Sequence, residues 1–555
     1  MSGPHPGRLA FRLDGEAVEI DDDGDTLLDV LRERFGRRRA VKDGCSPQGQ
    51  CGCCTVWVDG SARAACVTPA RRVAGRSVTT LDGLDAATRD RWASAFADAG
   101  ASQCGFCTPG IVMRLAALEH KSAGAPPGAD AVAIALVAHL CRCTGWQSIV
   151  EAAAVALGPD AGPGVTGRDP LLTAWRAQIE GPAFQSSGPS VVLGGGGFAD
   201  DTAPAGAVVA MPGSDADWVV APTLAEARRR SHKVQGRRGT AAVTPPLVPP
   251  PGEWLLTLAT SWVEPAYLEP DASWCLPGGH PASPLANGGA FGGKRRSPVP
   301  DAARDLADRL GVPVRALWTR EDVVRHGAKR PPVAVGVDAA GRGVLRAAIG
   351  AGPSAADFAD AVAAGAPGLA VEPVVVPGPP TSADLRAAGW AEAAVVSAVL
   401  PHAAAGRSGP GIPVEVEGRH GGRARVVVGA DGAVSVEVWA GAVLDEVTLR
   451  SYCLGAVHQA LGWVRHEGIA VGPDGEVHDL TVRSFGILTA RQMPPVTVVV
   501  HPGDRWPVNG SDAVLAATAA AAWLVDGLAP EWPTRRRPGK DAAGGRGARR
   551  REVPS

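Results

Sequence analysis

Four cysteines fall within residues 45–54 of the stretch DGCSPQGQCGCCTVWVDG, although the whole chain of 555 residues contains eleven. Glycines surround these cysteines, so backbone N–H groups can approach the sulfurs closely. In a reducing cytosol, clustered cysteines bind metal more often than they pair as disulfides. The stretch therefore predicts a metal-binding loop. The fold of this part of the chain must bring several thiolates close together.

Length and charge limit the remaining possibilities. At about 150 residues per domain, the chain is long enough for roughly three or four domains. The formal net charge of −2 argues against wholesale binding to nucleic acid or to membranes. No run approaches the roughly 18 apolar residues of a spanning helix, and the first residues lack the apolar core of a signal peptide. We expect a cytoplasmic protein with neither nucleic acid nor membrane as partner.

The first group of candidate ligands follows a ferredoxin-like pattern. The plant-type spacing is C-x4-C-x2-C with a distant fourth cysteine, whereas the first gap here holds five residues. Cys53 is a surplus thiol in this loop, and its exchange with Cys54 stays open as an alternative, although the x2 spacing favours Cys54. The predicted iron ligands are Cys45, Cys51, Cys54 and Cys66.

A second group of thiols comes from two further motifs. QCGFCTPG supplies Cys104 and Cys107, and LCRCTGW supplies Cys141 and Cys143. Each pair lies where a helical run meets a loop, so two helix ends could bring the four sulfurs together. Structural zinc is the alternative for either group, because four thiolates also form a closed zinc site.

The combination of these motifs resembles the two-cluster iron–sulfur module of the molybdenum hydroxylases, the xanthine dehydrogenase and aldehyde oxidase family. The resemblance covers about residues 8–157. It implies two [2Fe-2S] clusters that pass single electrons between a molybdenum cofactor and a flavin or another acceptor. No flavin-binding segment is visible, so we expect a separate FAD-binding subunit or another electron acceptor as partner.

Residue patterns predict an α+β chain. Strands are expected around the turns Asp14-Gly15 and Asp59-Gly60, and in the later runs SVVL, AVVAM, DWVV, RARVVVG, VSVEVWA and VTVVV. The predicted parts are a ferredoxin-like β-grasp [2Fe-2S] domain (1–80), a helical-bundle [2Fe-2S] domain (81–157), a linker (158–170), a shortened molybdopterin-binding-like α+β region (171–533) and a disordered basic tail (534–555).

The stretch NGGAFGGKRRSP, residues 287–298, has Walker A spacing, but Arg295 stands where Ser or Thr must meet magnesium. With the segment after it, the stretch instead resembles the molybdopterin-binding subunit of the same family. SWVEPAYLEP (261–270) and GPPTSADLRAAGWAEAAV (378–395) also resemble segments of that subunit; they contain Glu269 and Arg386, and the resemblance implies that Arg386 lies near the substrate. For the glycines the alternative is a tight structural turn, and for Arg386 and Glu269 it is surface ion pairing. The residues implied to contact the cofactor or substrate are Gly288, Gly289, Phe291, Gly292, Gly293 and Arg386.

Departures from the family leave two hypotheses. In NGSDAVLAATAAAAW, Ser511 stands where the family's catalytic glutamate is expected, and the neighbouring Asp512 has a shorter carboxylate that is displaced by one position. The first hypothesis is an oxidoreductase that hydroxylates a small molecule, an aldehyde or an N-heterocycle, at a molybdopterin centre. The second is a non-catalytic electron-transfer or scaffold subunit with a cofactor-free second half. No catalytic residue is assigned.

Overall fold

A computed structural model describes residues 7–36, 39–122, 126–158, 167–181, 183–213, 217–231, 241–282, 289–350 and 353–535. Gly288, most of the predicted linker and nearly all of the predicted tail lie outside these residues. No helix in the described ranges is long and apolar enough to cross a membrane.

The first 80 residues form a five-stranded sheet with one helix against it. The strands pair in the order β2-β1-β5-β3-β4. Both predicted hairpins are present, because Asp14 (φ 51°) and Gly15 (φ 91°) take the left-handed conformation that a tight turn needs, as do Asp59 (φ 48°) and Gly60 (φ 70°). The elements are β1 (Arg8–Leu13), β2 (Glu16–Asp21), α1 (Leu27–Glu33), β3 (Thr55–Val58), β4 (Ser61–Ala64) and β5 (Ser77–Thr79).

Four helices follow, and two of them begin directly after the predicted cysteine motifs. They are α2 (Ala86–Asp98), α3 (Thr108–Lys121), α4 (Ala129–Ala135) and α5 (Gln147–Leu157). One continuous apolar core joins these helices to the first sheet and to the segment from Ile469 to Ala490. The two cysteine-bearing parts are therefore packed against later parts of the chain.

Three more sheets build the rest of the chain. A four-stranded sheet has the order β7-β6-β10-β9, a five-stranded sheet β13-β12-β11-β8-β18, and a four-stranded sheet β14-β15-β16-β17. The strands are β6 (Val208–Pro212), β7 (Trp218–Ala221), β8 (Leu256–Thr260), β9 (Ala272–Cys275), β10 (Val314–Leu317), β11 (Val333–Val337), β12 (Gly343–Ala347), β13 (Leu369–Pro373), β14 (Val414–Glu417), β15 (Arg423–Val428), β16 (Val434–Trp439), β17 (Val496–His501) and β18 (Glu531–Trp532).

The same region contains the remaining helices, and the last two of them are almost entirely buried. They are α6 (Pro170–Glu180), α7 (Pro189–Val192), α8 (Ala199–Thr202), α9 (Leu224–Arg230), α10 (Val299–Leu310), α11 (Arg320–His326), α12 (Pro353–Gly365), α13 (Trp390–Ala404), α14 (Glu446–Arg465) and α15 (Ser511–Val525). Alanine-rich α15 packs closely on α14, because small side chains allow the two helices to approach.

The strand predicted for SVVL, residues 190–193, is wrong. Proline at the first position of α7 fixes a helical φ, and its Val191 and Val192 fill a buried contact instead of pairing with a sheet. A four-residue apolar run does not distinguish a strand from a buried helical turn by itself. The other strand-like runs named above lie in β6, β7, β15, β16 and β17.

Candidate metal centres

The glycine-rich loop between α1 and β3 brings the first four predicted ligands together. The Cys45 thiol contacts those of Cys51 and Cys66, and Cys66 in turn contacts Cys54. All four are buried. Ser46 (φ 51°), Gly49 (φ 70°) and Gly52 (φ 76°) take left-handed conformations, and these fold the loop back around the sulfurs.

Backbone amides of the same loop stabilise negative charge on Cys45. Its Sγ accepts N–H groups from Gln48 at 3.2 Å and from Gln50 at 3.5 Å. Contact with the thiols of Cys51 and Cys66, together with these amides, holds the pKa of Cys45 well below its usual range. The deprotonated sulfur is the form that binds metal, so this loop suits a metal ligand.

The second centre is built from two pairs at helix starts. Cys104 Sγ lies 3.7 Å from Cys143 Sγ, and the thiol of Cys107 contacts that of Cys141. Cys107 immediately precedes α3, and the Cys141–Cys143 loop leads into α5. Contact with Cys107, helped by the Thr144 hydroxyl at 3.2 Å from Cys141 Sγ, lowers the pKa of Cys141 to about 6.

The pairwise arrangement bears on the choice between zinc and iron. A closed zinc site needs four ligands around one ion, whereas a [2Fe-2S] cluster shares four thiolates between two irons. The two pairs of sulfurs at the second centre, Cys104 with Cys143 and Cys107 with Cys141, fit the two-iron arrangement. At the first centre, successive contacts join all four sulfurs.

Cys53 lies inside the first centre, where its thiol contacts that of Cys51 but not those of the other predicted ligands. Its Sγ faces the carbonyl of Cys51 at 3.9 Å, and the side chain is fully buried. Glycine at position 110 lets α3 approach closely, because a Cβ there would lie 2.3 Å from the Gly52 carbonyl oxygen. Cys53 therefore sits at the contact between the two centres.

The second centre also faces the second half of the chain. Arg142, between Cys141 and Cys143, forms a bidentate ion pair with Glu467 at 2.5 and 2.8 Å, and both side chains are buried. A Cβ on Gly455 would come within 1.9 Å of the Cys143 carbonyl oxygen, so α14 packs directly on this loop. The sequence prediction missed Arg142 and Glu467. An arginine between two buried cysteines was the signal for Arg142, and nothing local marks Glu467.

The predicted cofactor loop lies against the same cysteine loop. A Cβ on Gly289 (φ +82°) would come within 3.3 Å of Cys143 Sγ. Gly292 (φ +94°) is required by the protein itself, because a Cβ there would lie 1.9 Å from the Asp384 carbonyl oxygen. Phe291 is buried and packs edge-to-face against Tyr452, and Gly293 completes a tight turn to Ala290. Internal packing thus accounts for these glycines as a structural turn.

Arg386 occupies the centre of this region with its hydrogen-bond donors engaged. Its guanidinium donates to Asp512 at 2.9 Å, Ser511 at 2.7 Å and Gln459 at 3.1 Å. It also stacks over the Phe291 ring at 4.6 Å. The surface alternative for Arg386 is wrong because the side chain is buried. It is also wrong for Glu269, which forms a buried ion pair with Lys294 at 2.7 Å.

The described residues of this region leave little open space beside Arg386 for a molybdopterin cofactor. The cavity bordered by Phe291, Arg386, Gln459 and Arg142 is about 50 Å³, which holds a few waters, whereas small-molecule sites span about 300–1,000 Å³. At its edge, α6 places Glu180 on the backbone N–H groups of Gly510 and Ser511. The protein's own side chains therefore occupy the space around position 511.

The fold and the two thiol centres define a two-cluster iron–sulfur protein. Two family profiles match it: "2Fe-2S iron-sulfur cluster binding domain" over residues 11–75 and "[2Fe-2S] binding domain" over residues 80–154. The chain is 41% identical over 162 residues to the nicotine 6-hydroxylase small subunit of Paenarthrobacter nicotinovorans, covering 28% of this chain and 96% of that protein. It is 40% identical over 129 residues to the xanthine dehydrogenase iron-sulfur-binding subunit of Escherichia coli O157:H7, covering 23% of this chain and 79% of that protein.

The chain belongs to the molybdenum hydroxylase family of xanthine dehydrogenases and aldehyde oxidoreductases, and it has the two-cluster [2Fe-2S] electron-transfer region of that family. Beyond this region, the fold is similar to the aldehyde oxidoreductase from Desulfovibrio desulfuricans, with a TM-score of 0.68 and 14% identity, covering 95% of this chain and 99% of that one. That likeness shows the fold of the second half.

Proposed function

We propose that this chain carries single electrons through two [2Fe-2S] clusters within an oxidoreductase system, and that its second half supports the clusters without binding molybdopterin. The cluster-binding parts are residues 1–80 and 81–157, joined by the 158–170 linker to the region 171–533. The observation that carries the proposal is the contact among four thiols at each centre, set against the filled region around Arg386.

Each centre provides what a bound cluster needs. When bound, a [2Fe-2S] cluster accepts and releases one electron at a time. The first loop supplies Cys45, Cys51, Cys54 and Cys66 as ligands, with the amides of Gln48 and Gln50 directed at the Cys45 sulfur. Such amide–sulfur hydrogen bonds raise a cluster's reduction potential. The second loop supplies Cys104, Cys107, Cys141 and Cys143.

The second half covers the tip of the first cysteine loop. Gln48 at the tip of the first loop donates to the Leu480 carbonyl and accepts the Val482 N–H, and Arg483 donates to the Gln50 carbonyl. Burial of this kind affects the potential and keeps solvent from the sulfurs. We infer that the second half acts as a fixed cover over the clusters, and that electrons arrive from and leave to other proteins in a reducing cytoplasm.

Reductive titration of the purified chain tests this function. We expect two one-electron steps and two distinct electron paramagnetic resonance signals of reduced [2Fe-2S] clusters. A protein that contains zinc and takes up no electrons would contradict the proposal.

A second candidate is the compact hydroxylase with its own molybdenum centre. One observation favours it, the position of Gly289 against the Cys143 sulfur, where a bound cofactor would lie beside the second cluster. In that case the loop of Gly289, Phe291, Gly292 and Gly293 would have to open, and Arg386 would have to exchange Asp512 for a ligand. Stoichiometric molybdenum together with aldehyde oxidation by the purified chain would establish it.

A further inference from the structure

We propose that Arg320, a buried arginine of the second half, offsets the negative charge of the reduced first cluster and thereby raises its reduction potential. The inference rests on the proposed electron-transfer function. It gives the second half an electrostatic role in addition to covering the tip of the first cysteine loop. Arg320 acts through its charge and is not one of the ligands.

Arg320 lies one peptide away from a predicted iron ligand. It is the first residue of α11, whose start is fixed by a capping box between Thr319 and Asp322, and its side chain is fully buried. Its Nη2 donates a hydrogen bond to the Gly44 carbonyl oxygen at 3.0 Å. That carbonyl belongs to the peptide bond between Gly44 and Cys45. A positive charge of the second half is therefore placed directly behind the first ligand of the loop.

The peptide that Arg320 binds lies against the sulfurs of the first centre. A Cβ on Gly44 would come within 3.0 Å of Cys51 Sγ and 3.1 Å of Cys53 Sγ. Only a residue without a side chain lets the backbone approach the sulfurs this closely. The hydrogen bond to Gly44 thus keeps the guanidinium beside the place where the negative charge of a bound cluster would be.

The next residue of α11 holds the other side of Cys45. Glu321 is buried and accepts a hydrogen bond from Gln48 Nε2 at 2.9 Å. The backbone N–H of Gln48 donates in turn to Cys45 Sγ. Two consecutive residues of α11 therefore fix the loop before and after Cys45, and the position of the Arg320 charge relative to this ligand is set by the fold.

The charge of Arg320 is not offset by a carboxylate of the protein. In the described part of the chain, Arg320 forms no ion pair, and its Nε and Nη1 atoms have no hydrogen-bond partner. Two neighbouring carboxylates are already engaged, because Glu264 pairs with Lys329 at 2.9 Å and Asp271 accepts the Tyr267 hydroxyl at 2.8 Å. Burial of a charge is costly unless an opposite charge accompanies it. A cluster held by four thiolates supplies that negative charge.

The sign of the effect follows from the charge of the two redox states. One-electron reduction makes the cluster more negative by one charge, whereas a guanidinium stays protonated throughout. A nearby positive charge in a low-dielectric interior therefore stabilises the reduced state more than the oxidised state. The electron comes from the reductant, no proton is transferred, and no bond forms or breaks.

Potentiometric titration of the purified full chain, followed by electron paramagnetic resonance, tests this role. The first cluster's signal is identified as the one that Cys54→Ala loses. Three variants separate charge from hydrogen bonding: Arg320→Met removes both, Arg320→Gln keeps an N–H donor without the charge, and Arg320→Lys keeps the charge. At a fixed potential, the Met and Gln variants should lower the reduced-to-oxidised ratio of the first cluster by at least about tenfold, which is a shift of about 59 mV for one electron. The Lys variant should stay close to wild type.

The matched control is Arg465→Met, which removes a buried arginine of α14 that pairs with Asp526 at 3.0 Å. It should leave the first cluster's midpoint unchanged. Loss of the first cluster in the two uncharged variants alone, with the Lys variant intact, would also support the role. An unchanged midpoint in the Met and Gln variants would overturn it, and so would an equal shift in the control.

Two other results would also count against the role of Arg320. If the Gln variant matched wild type while the Lys variant shifted like the Met variant, the hydrogen bond to Gly44 and not the charge would set the potential. If all three variants lost the first cluster, Arg320 would serve folding alone. Failure of the underlying function has a different signature, because wild type itself would then show no reducible cluster.

Discussion

The two thiol centres and the Arg386 region were both predicted from motifs, yet their structures differ in what they leave for a ligand. At the thiol centres, buried sulfurs meet mainly one another, and loop amides are directed at Cys45. At Arg386, a carboxylate, a hydroxyl and an amide of the protein already engage the guanidinium. A motif can bind a ligand when the atoms that would contact the ligand are not already bonded within the protein. The thiol centres meet this condition, and the Arg386 region does not.

Removal of one second-centre ligand should have the largest effect. Cys107→Ala should lower the iron content from about four to about two atoms per chain and abolish one of the two resonance signals, because each cluster needs four thiolates. The matched control is Cys453→Ala, which removes a buried thiol in α14 away from the predicted ligand sets. Full iron in the Cys107 variant, or loss of iron in the control, would place the cluster elsewhere.

Loss of Arg386 should distinguish a structural arginine from a substrate-binding one. Arg386→Met should reduce the free energy of unfolding by about 2 kcal/mol, because buried Ser511 and Gln459 lose their hydrogen bonds to a charged donor and the partly exposed Asp512 loses its ion pair. Iron should stay at wild-type content. Urea unfolding followed by tryptophan fluorescence measures this loss. The partly exposed pair Arg346–Glu372 serves as the control, and Arg346→Met should change stability by less than about 1 kcal/mol. Equal small effects in both variants would contradict the filled-site interpretation.

The ion pair behind the glycine loop should make stability depend on pH. Burial raises the pKa of Glu269 to about 7, although Lys294 opposes this shift. The ordinary value is about 4.3, so the folded protein holds a proton that the unfolded chain releases between these values. The contribution of Glu269 is therefore full below about pH 4 and is lost as the pH rises through about 7. Urea midpoints measured from pH 5 to 8 should fall more steeply for wild type than for Glu269→Gln, and parallel curves would refute this.

Replacement of the surplus thiol should have the smallest effect. Cys53→Ala should retain both resonance signals and full iron, because Cys54, and not Cys53, contacts the thiol of Cys66. Cys54→Ala is the paired variant and should lose the first signal. The opposite result would exchange the roles of the two residues.

Local features of the fold were predictable from the sequence, and long-range ones were not. The turns at Asp14-Gly15 and Asp59-Gly60, helix α14 and the cysteine pairs follow from residue type and spacing over a few positions. The partners of Arg386 come from residues 73 to 126 positions away, so no local pattern reveals them. The same holds for Gly292, whose need for glycine comes from the Asp384 carbonyl, and for Arg142 with Glu467. Ser511 at the expected glutamate position was visible in the sequence, but the carboxylate of Glu180 beside it was not.

Metal content of the purified full chain tests the central claim most directly. Elemental analysis should give about four iron atoms per chain, two for each [2Fe-2S] cluster, with molybdenum far below one atom per chain. The protein should be expressed in a host that makes the molybdenum cofactor, so that a low molybdenum content cannot result from lack of the cofactor. One molybdenum atom per chain would show that the Arg386 region opens to hold a cofactor, and it would contradict the account of a filled second half.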